Sequence, residues 1–393
     1  MSARRRVVLA LASLCLCLGA AEGGLRLFER RFTWRPLPPF GEGPRVREWA
    51  QESERQLGEH WDPVHYTTFD AVLGWTTRPG FVSKDGRIHV NAAGLRATSE
   101  YAATPPSGVR RIAVCGESFT FGEEVADEEV WAARMEALSG DLEVLNYGVG
   151  GYGTDQAYLR VSREARGPLD ALLVGVMIEN IGRNVNRYRP LWYPSALPAA
   201  KPRYVLVGTE LVLVPQPFAT QAEFVSAVKS GTALARLAEH EYWSESYVPR
   251  WLEGSFLARV LAARTAYAAR ELRRLWTNTA AEPFQTTLAL LSALRRTAQD
   301  LAARHFLVLV FPTREDLAAL LAGRDRYWHT LTDALAASGF DALDLTDALL
   351  DAARADPSLA LFGKSHFTAA ANDLVARAIL AHLAQASAFP GPK

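Results

Sequence analysis

From Arg110 onward, short apolar runs alternate with longer stretches of helical period. The runs are Arg111–Cys115, Glu143–Tyr147, Ala171–Met177, Leu307–Phe311 and Phe340–Leu345. They are continuously apolar rather than alternating, the pattern of strands covered on both faces of a parallel sheet. Between them, Phe284, Leu288, Leu291, Leu294, Ala298 and Leu301 recur at three- and four-residue steps behind Pro283. That spacing predicts an amphipathic helix with proline in its first turn. Five parallel strands joined by crossover helices make a three-layer α/β/α sandwich.

Two regions depart from this rhythm. Residues 29–105 are rich in Pro, Gly, Trp and charge. A helical period runs over Pro44–His60, and short strands are expected at Phe69–Trp75 and Arg87–Asn91. Residues 186–282 form a long insertion after the third strand, with a hairpin of Lys201–Leu206 and Leu211–Val214 around Gly208 and helices as far as Leu275. An insertion leaving a sheet at this point is placed to shape a cleft. The expected organisation is a leader at 1–28, an irregular, partly β region at 29–105, and an α/β domain at 106–388 carrying the insertion.

The leader begins with Arg4, Arg5 and Arg6, followed by the uncharged stretch Val7–Ala21. A basic segment before an apolar one is an export signature, compatible with a cleaved signal or an uncleaved anchor. Neither Cys15 nor Cys17 follows a small residue, so neither is expected to carry a lipid. The body is expected outside the cytoplasm, either held at the inner membrane by this segment or secreted. Only Cys115 lies in the body, so no intramolecular disulfide is available to it. With 49% of 393 residues apolar and 43 basic residues balancing 43 acidic ones, the chain can build a core and has no field for nucleic acid.

In an open α/β sheet, ligands bind beyond the carboxyl ends of the strands. Those ends carry Gly116-Glu117-Ser118-Phe119-Thr120-Phe121-Gly122, then Gly148-Val149-Gly150-Gly151, then Glu179-Asn180, and the fifth strand leads through a helix to His366. Each segment has an ordinary explanation too. Thr120 and Glu123 fit a capping box, glycines suit tight turns, and His366 precedes a helix capped by Thr368. Gly148 to Gly153 also spells GxGxxG, but on the second strand and in an exported chain, so no dinucleotide is expected. No metal-ligand spacing occurs, and no cofactor is expected. Arg183, Arg187, Arg189, Arg314 and Arg324 follow strand ends, where they could clamp an anion, although a solvated surface explains such residues more often. Trp192, Tyr193, Tyr204, Trp243 and Tyr247 could stack on sugar rings or simply pack a core.

Taken in order, four segments resemble the blocks of the SGNH/GDSL hydrolases. GESFTFGE is similar to the first block, usually Gly-Asp-Ser. NYGVGGYGTDQ is similar to the second, which supplies a glycine amide. MIENIGRN is similar to the third, usually ending in Asn-Asp, and SHFTAAANDLVARAIL to the last, which carries the histidine. LGWTTRPG and HVNAAGLR resemble the lead-in of exported, anchored members, so the resemblance covers about residues 69–385. It implies a flavodoxin-like five-stranded core, Ser118 as nucleophile and His366 as general base. It also implies an oxyanion hole from the amides of Ser118 and Gly151.

This chain departs from the blocks at three places. Glu117 replaces aspartate. Glu179 falls where the oxyanion asparagine belongs, so that either Asn180 or Asn184 supplies the third donor or the hole has two. Gly363, Lys364 and Ser365 occupy the positions where an aspartate would precede the histidine, leaving a carbonyl or a distant acid such as Asp344 or Asp347 to orient His366. Glu117, Glu179 and Asn184 are carried as orienting or substrate-contacting residues. The expected function is an exported serine esterase acting on an acylated small molecule or glycan. The alternatives are an O-acyltransferase for an envelope or extracellular polysaccharide, and a non-catalytic glycan-binding protein on a degenerate hydrolase fold.

Overall fold

The computed structural model describes residues 3–27, 65–192, 199–244, 252, 254–358 and 360–385. The expected helix over Pro44–His60, as well as Tyr193 and Tyr247, lies outside the described residues. Helix α1 (Ala3–Leu27) opens the chain. Strands β1 (Thr67–Asp70) and β2 (Gly74–Thr77) pair antiparallel. Next come β3 (Arg110–Cys115), the one-turn α2 (Ser118–Phe121), α3 (Trp131–Ser139), β4 (Leu142–Asn146), α4 (Thr154–Glu164) and β5 (Ala171–Met177). Strands β6 (Arg203–Val207) and β7 (Glu210–Val214) form a second antiparallel pair. The chain continues through α5 (Phe256–Ala269), α6 (Glu282–Asp300), β8 (His305–Phe311), β9 (Asp341–Asp344), α7 (Thr346–Ala355) and α8 (Ala369–Gln385).

The central sheet is five-stranded and all parallel, in the order β4-β3-β5-β8-β9. Every residue of β5 is buried. Because successive side chains point to opposite faces, each strand feeds two cores. Ala113, Cys115, Leu172, Val174, Val176, Val308 and Val310 pack toward α4 and α6, with Ala157, Val161, Leu291 and Leu294 opposite them. Ile112, Val114, Leu173, Leu307, Leu309 and Phe311 pack toward α3, α7 and α8, against Trp131, Met135, Leu349, Val375 and Ile379. The result is the three-layer α/β/α sandwich read from the sequence.

Three local readings differ. The run Phe69–Trp75 is a hairpin rather than one strand: Asp70 accepts from the amides of Val72 and Leu73 (2.8 and 2.7 Å) and turns the chain before Gly74. Arg87–Asn91 makes only an isolated bridge, Val82 to His89. Helix α1 continues past Ala21 to Leu27. Its 25 residues span ~37 Å, long and apolar enough by length and composition to cross a membrane. Its Glu22 accepts hydrogen bonds from Ser255 Oγ (2.9 Å) and from the amides of Phe256 and Leu257 (2.8 Å each), at the start of α5.

The two-faced sheet makes its central apolar positions costly to shorten. Leu173→Ala, at a fully buried site, should lower unfolding free energy by about 2–5 kcal/mol. Leu321→Ala, at a residue 49% exposed, should change it by less than ~0.5 kcal/mol. Urea denaturation followed by circular dichroism measures both.

Candidate active site

The site is built where β3 ends. After Cys115 the chain passes through Gly116 and Glu117 into α2, whose first residue is Ser118. This helix lasts one turn because Gly122 adopts a left-handed conformation (φ 82°), and a Cβ there would sit 2.5 Å from a Val130 methyl carbon. Glu124 is itself left-handed (φ 72°), an uncommon state for a residue with a side chain. The double turn folds Glu124 back beside the loop that carries His366.

Ser118 Oγ lies 2.8 Å from His366 Nε2. On the other side of the ring, His366 Nδ1 donates to Glu124 Oε1 at 2.9 Å. Glu124 also accepts from the Lys364 amide (2.6 Å), the Ser365 amide (3.0 Å) and Ser365 Oγ (2.8 Å). Since a carboxylate only accepts, the proton of the His366–Glu124 bond sits on Nδ1, and Nε2 is left to accept from Ser118. Burial alone would raise the Glu124 pKa, but the hydrogen bonds from His366, Ser365 and Lys364 outweigh it and bring it down to about 2. The ring of His366 rests 5.2 Å from that of Phe119, which in turn packs edge-on against Phe367 at 4.6 Å.

The orienting acid is therefore Glu124, six residues after Ser118. Asp344 and Asp347, the candidates from the sequence, are occupied elsewhere: Asp344 accepts from Trp328 Nε1 (3.1 Å) and pairs with Arg326, which also binds Asp347. A second carboxylate stands on the cleft side of the imidazole. Glu123 Oε2 is 3.4 Å from His366 Nε2, and its other oxygen accepts a short hydrogen bond from Tyr66. Burial and the neighbouring Glu123 push the Tyr66 phenol up, so it remains a donor.

The glycine loop after β4 closes the second side. Asn146 ties it to the Ser118 turn: Nδ2 donates to the Thr120 carbonyl (2.7 Å) and Oδ1 accepts from the Gly148 amide (2.9 Å). Gly151 is left-handed (φ 78°) and lines the cleft beside Ser118. Among the described residues, neither the Ser118 amide nor the Gly151 amide has a hydrogen-bond partner. The hairpin β1–β2 braces this loop, since Trp75 Nε1 donates to the Gly150 carbonyl (3.0 Å) and Tyr152 donates to the Trp75 carbonyl (2.6 Å).

The remaining predicted residues fall into two groups. Asn180 is fully buried with Nδ2 directed at Glu117 Oε2 (3.4 Å), and Asn184 bridges the Thr154 amide and Thr287 Oγ1 (2.7 and 2.9 Å). Neither lines the cleft. Glu117 is also fully buried, and burial raises its pKa. Glu179 does line the cleft, paired with Arg183 at 2.9 Å. The cleft measures about 780 Å³ and takes Tyr66, Trp75, Phe81, Trp192, Arg183 and Arg189 into its wall. Arg187 instead donates to the Glu239 and Pro215 carbonyls, and Arg314 to that of Gly363. Arg324 lines a separate cavity. Trp243 packs at a tilt against Trp192 at 5.0 Å, and Tyr204 packs on Tyr158 at 5.2 Å, so both belong to the core. Among the described residues, no group of His, Cys, Asp and Glu is disposed to hold a metal ion.

Sequence reasoning missed Glu123, Glu124 and Tyr66. The first two stand immediately after the Ser118 turn, where Glu123 reads only as part of a capping box. Only the left-handed turn at Gly122 and Glu124 shows that they reach His366.

No protein-family model and no curated protein sequence matches the chain. Solved structures with a similar course include a member of the lipolytic G-D-S-L family from Veillonella parvula. It is 10% identical at TM-score 0.36, over 70% of this chain and 97% of that one. Another is an acetylxylan esterase from Geobacillus stearothermophilus, 12% identical at TM-score 0.32, over 70% and 94%. A third is a two-domain esterase active on acetylated mannans, 10% identical at TM-score 0.35, over 72% of this chain and 51% of that one.

Because the folded Glu124 carboxyl titrates near 2, below its unfolded value of about 4.3, folding favours its ionised form. That stability is fully present above the unfolded value and is lost as pH falls through the folded one. Glu124→Gln should therefore melt below the wild type at about pH 6, with the difference in Tm closing between about pH 4.5 and 2. A gap that stays constant over that range would contradict the hydrogen bonding described.

Proposed function

We propose that this chain is a serine ester hydrolase of the SGNH type, working outside the cytoplasm on an acylated glycan. The observation that carries the reading is the continuous hydrogen-bond chain from Ser118 through His366 to Glu124. Nε2 of His366 takes the Ser118 proton as Oγ attacks the ester carbonyl, then returns it to the leaving alcohol. Glu124 keeps the proton on Nδ1 and favours the imidazolium while it exists. The amides of Ser118 and Gly151 receive the oxyanion, and Ser118 at the start of α2 puts its N–H at the point where negative charge develops. Water, activated by the same histidine, then releases the acid from Ser118.

Two further features support the reading. A non-catalytic, degenerate site would be expected to lack an acid at His366 or to hold Ser118 and His366 apart, and neither holds here. The wide cleft with Trp75, Trp192, Phe81 and Tyr66 in its wall suits sugar rings, which stack on aromatic faces while their hydroxyls meet polar groups. The apolar helix α1, behind three arginines, is the feature that favours an anchored or exported body.

Full-length protein in mild detergent should be labelled by a fluorophosphonate probe, and Ser118→Ala should not. A folded wild type that resists the probe would remove the reading. On 4-nitrophenyl acetate, Glu124→Ala should lower kcat by about 10²–10⁴-fold. Asp347→Asn, a surface change beside Arg326, should leave kcat within about twofold. Equal losses in the two variants would return the orienting role to another acid.

A further inference from the structure

One wall of the cleft carries two guanidinium groups, of which only Arg183 is ion-paired among the described residues. Arg189 lines the cleft with its Nη2 against Gly151, 3.8 Å from where a Cβ on that glycine would lie. Its Nη1 is buried and unpartnered, and among the described residues no carboxylate pairs with it. Arg183 stands on the same loop: Nη1 donates to the Tyr152 carbonyl (3.2 Å), Nη2 to Glu179 (2.9 Å), and Nε is buried without a partner. Two guanidinium groups thus share one carboxylate, Glu179. The other acids in the cleft wall are Glu315, Glu123 held by Tyr66, and Glu124 held by His366.

A guanidinium withdrawn from water without an ion partner is destabilising, and such groups persist where a ligand completes them. Burial, with Arg183 adding to it, lowers the Arg189 pKa to about 9, which still leaves the group cationic at neutral pH. An anion placed in the cleft beside Gly151 would meet Nη2 of Arg189, a charge-assisted donor that suits carboxylate and phosphate.

We propose that Arg189, supported by Arg183, forms an anion subsite of this cleft, so that the glycan taken there carries a negatively charged group close to the acyl-bearing sugar. The inference rests on the ester hydrolase reading for the acyl group but not for the anion. A carboxylate-bearing sugar and a phosphate- or sulfate-bearing one share the chemistry. With Gly151 against the guanidinium, the charged group lies on the glycine-loop side of the reacting carbonyl.

Titration calorimetry on full-length Ser118→Ala, which cannot turn over, tests this directly. The probes are tetragalacturonate, its neutral methyl ester, and a sulfated tetrasaccharide. The acidic probe of the correct class should bind about tenfold or more tightly than the neutral one, the equivalent of one charge-assisted contact. In the Ser118→Ala, Arg189→Gln protein that ratio should fall to about one, and Arg189→Lys should keep most of it. Preference for tetragalacturonate identifies a carboxylate, and preference for the sulfated probe a tetrahedral anion. No preference for either over the methyl ester in the Ser118→Ala protein overturns the proposal without reference to how any arginine variant folds. So does a preference that survives Arg189→Gln. Absence of fluorophosphonate labelling with the anion preference intact would remove the hydrolase reading and leave the subsite standing.

Discussion

Seven consecutive residues of β5, Ala171–Met177, lie inside the protein with helices over both faces, and this double burial is what the rest of the molecule is arranged around. A strand in that position has its backbone satisfied by β3 on one side and β8 on the other. Parallel neighbours require crossover helices, and the crossovers deliver every loop after a strand to the same end of the sheet. The Ser118 turn after β3, the glycine loop after β4 and the Glu179 turn after β5 are neighbours for that reason. Helix α8 then covers the Trp131 side of the sheet and sets His366, three residues before it, at the same end.

Within that frame, the Glu124 carboxylate joins two parts of the chain about 240 positions apart. It accepts from three consecutive residues of the 364–366 loop, so it fixes the loop as well as the imidazole. An acid placed before the histidine would orient only the ring it serves. With the acid on the Ser118 turn, the position of His366 depends on the left-handed geometry at Gly122 and Glu124. Backbone of this kind is costly and is kept where surrounding contacts over-determine it. Here those contacts are the packing of Val130 against Gly122 and the accepting bonds of Glu124.

The cleft is assembled from parts outside the sheet. The hairpin β1–β2 and the residue before it bring Trp75 and Tyr66, and the start of the insertion brings Arg189 and Trp192. The insertion is itself pinned to the core by the buried Lys201–Asp155 pair, and Arg203 ties its hairpin to Glu282 at the start of α6. Charge in the cleft is mixed, with Glu123 and Glu124 at His366, and Arg183, paired with Glu179, and Arg189 on the wall that includes Gly151.

The five strands and helix α6 were legible from the order of residues because burial on both faces leaves a local mark, continuous apolar runs in the strands and a three-to-four period in the helix. The turns holding Ser118, Gly151 and His366 were legible because they follow those runs. What distance along the chain conceals was decided by the tertiary structure. Nothing local marks Glu124 until a left-handed turn brings it to His366, and Asp344 and Asp347 read as candidates until Arg326 and Trp328 claim them. Asn180 and Asn184 read as cleft donors until burial directs them to Glu117 and Thr287. Arg183 and Arg189 read as solvated charges until the insertion folds over them. Sequence patterns record which residues avoid water, whereas hydrogen-bond partners depend on which atoms meet, and only the packed chain specifies that.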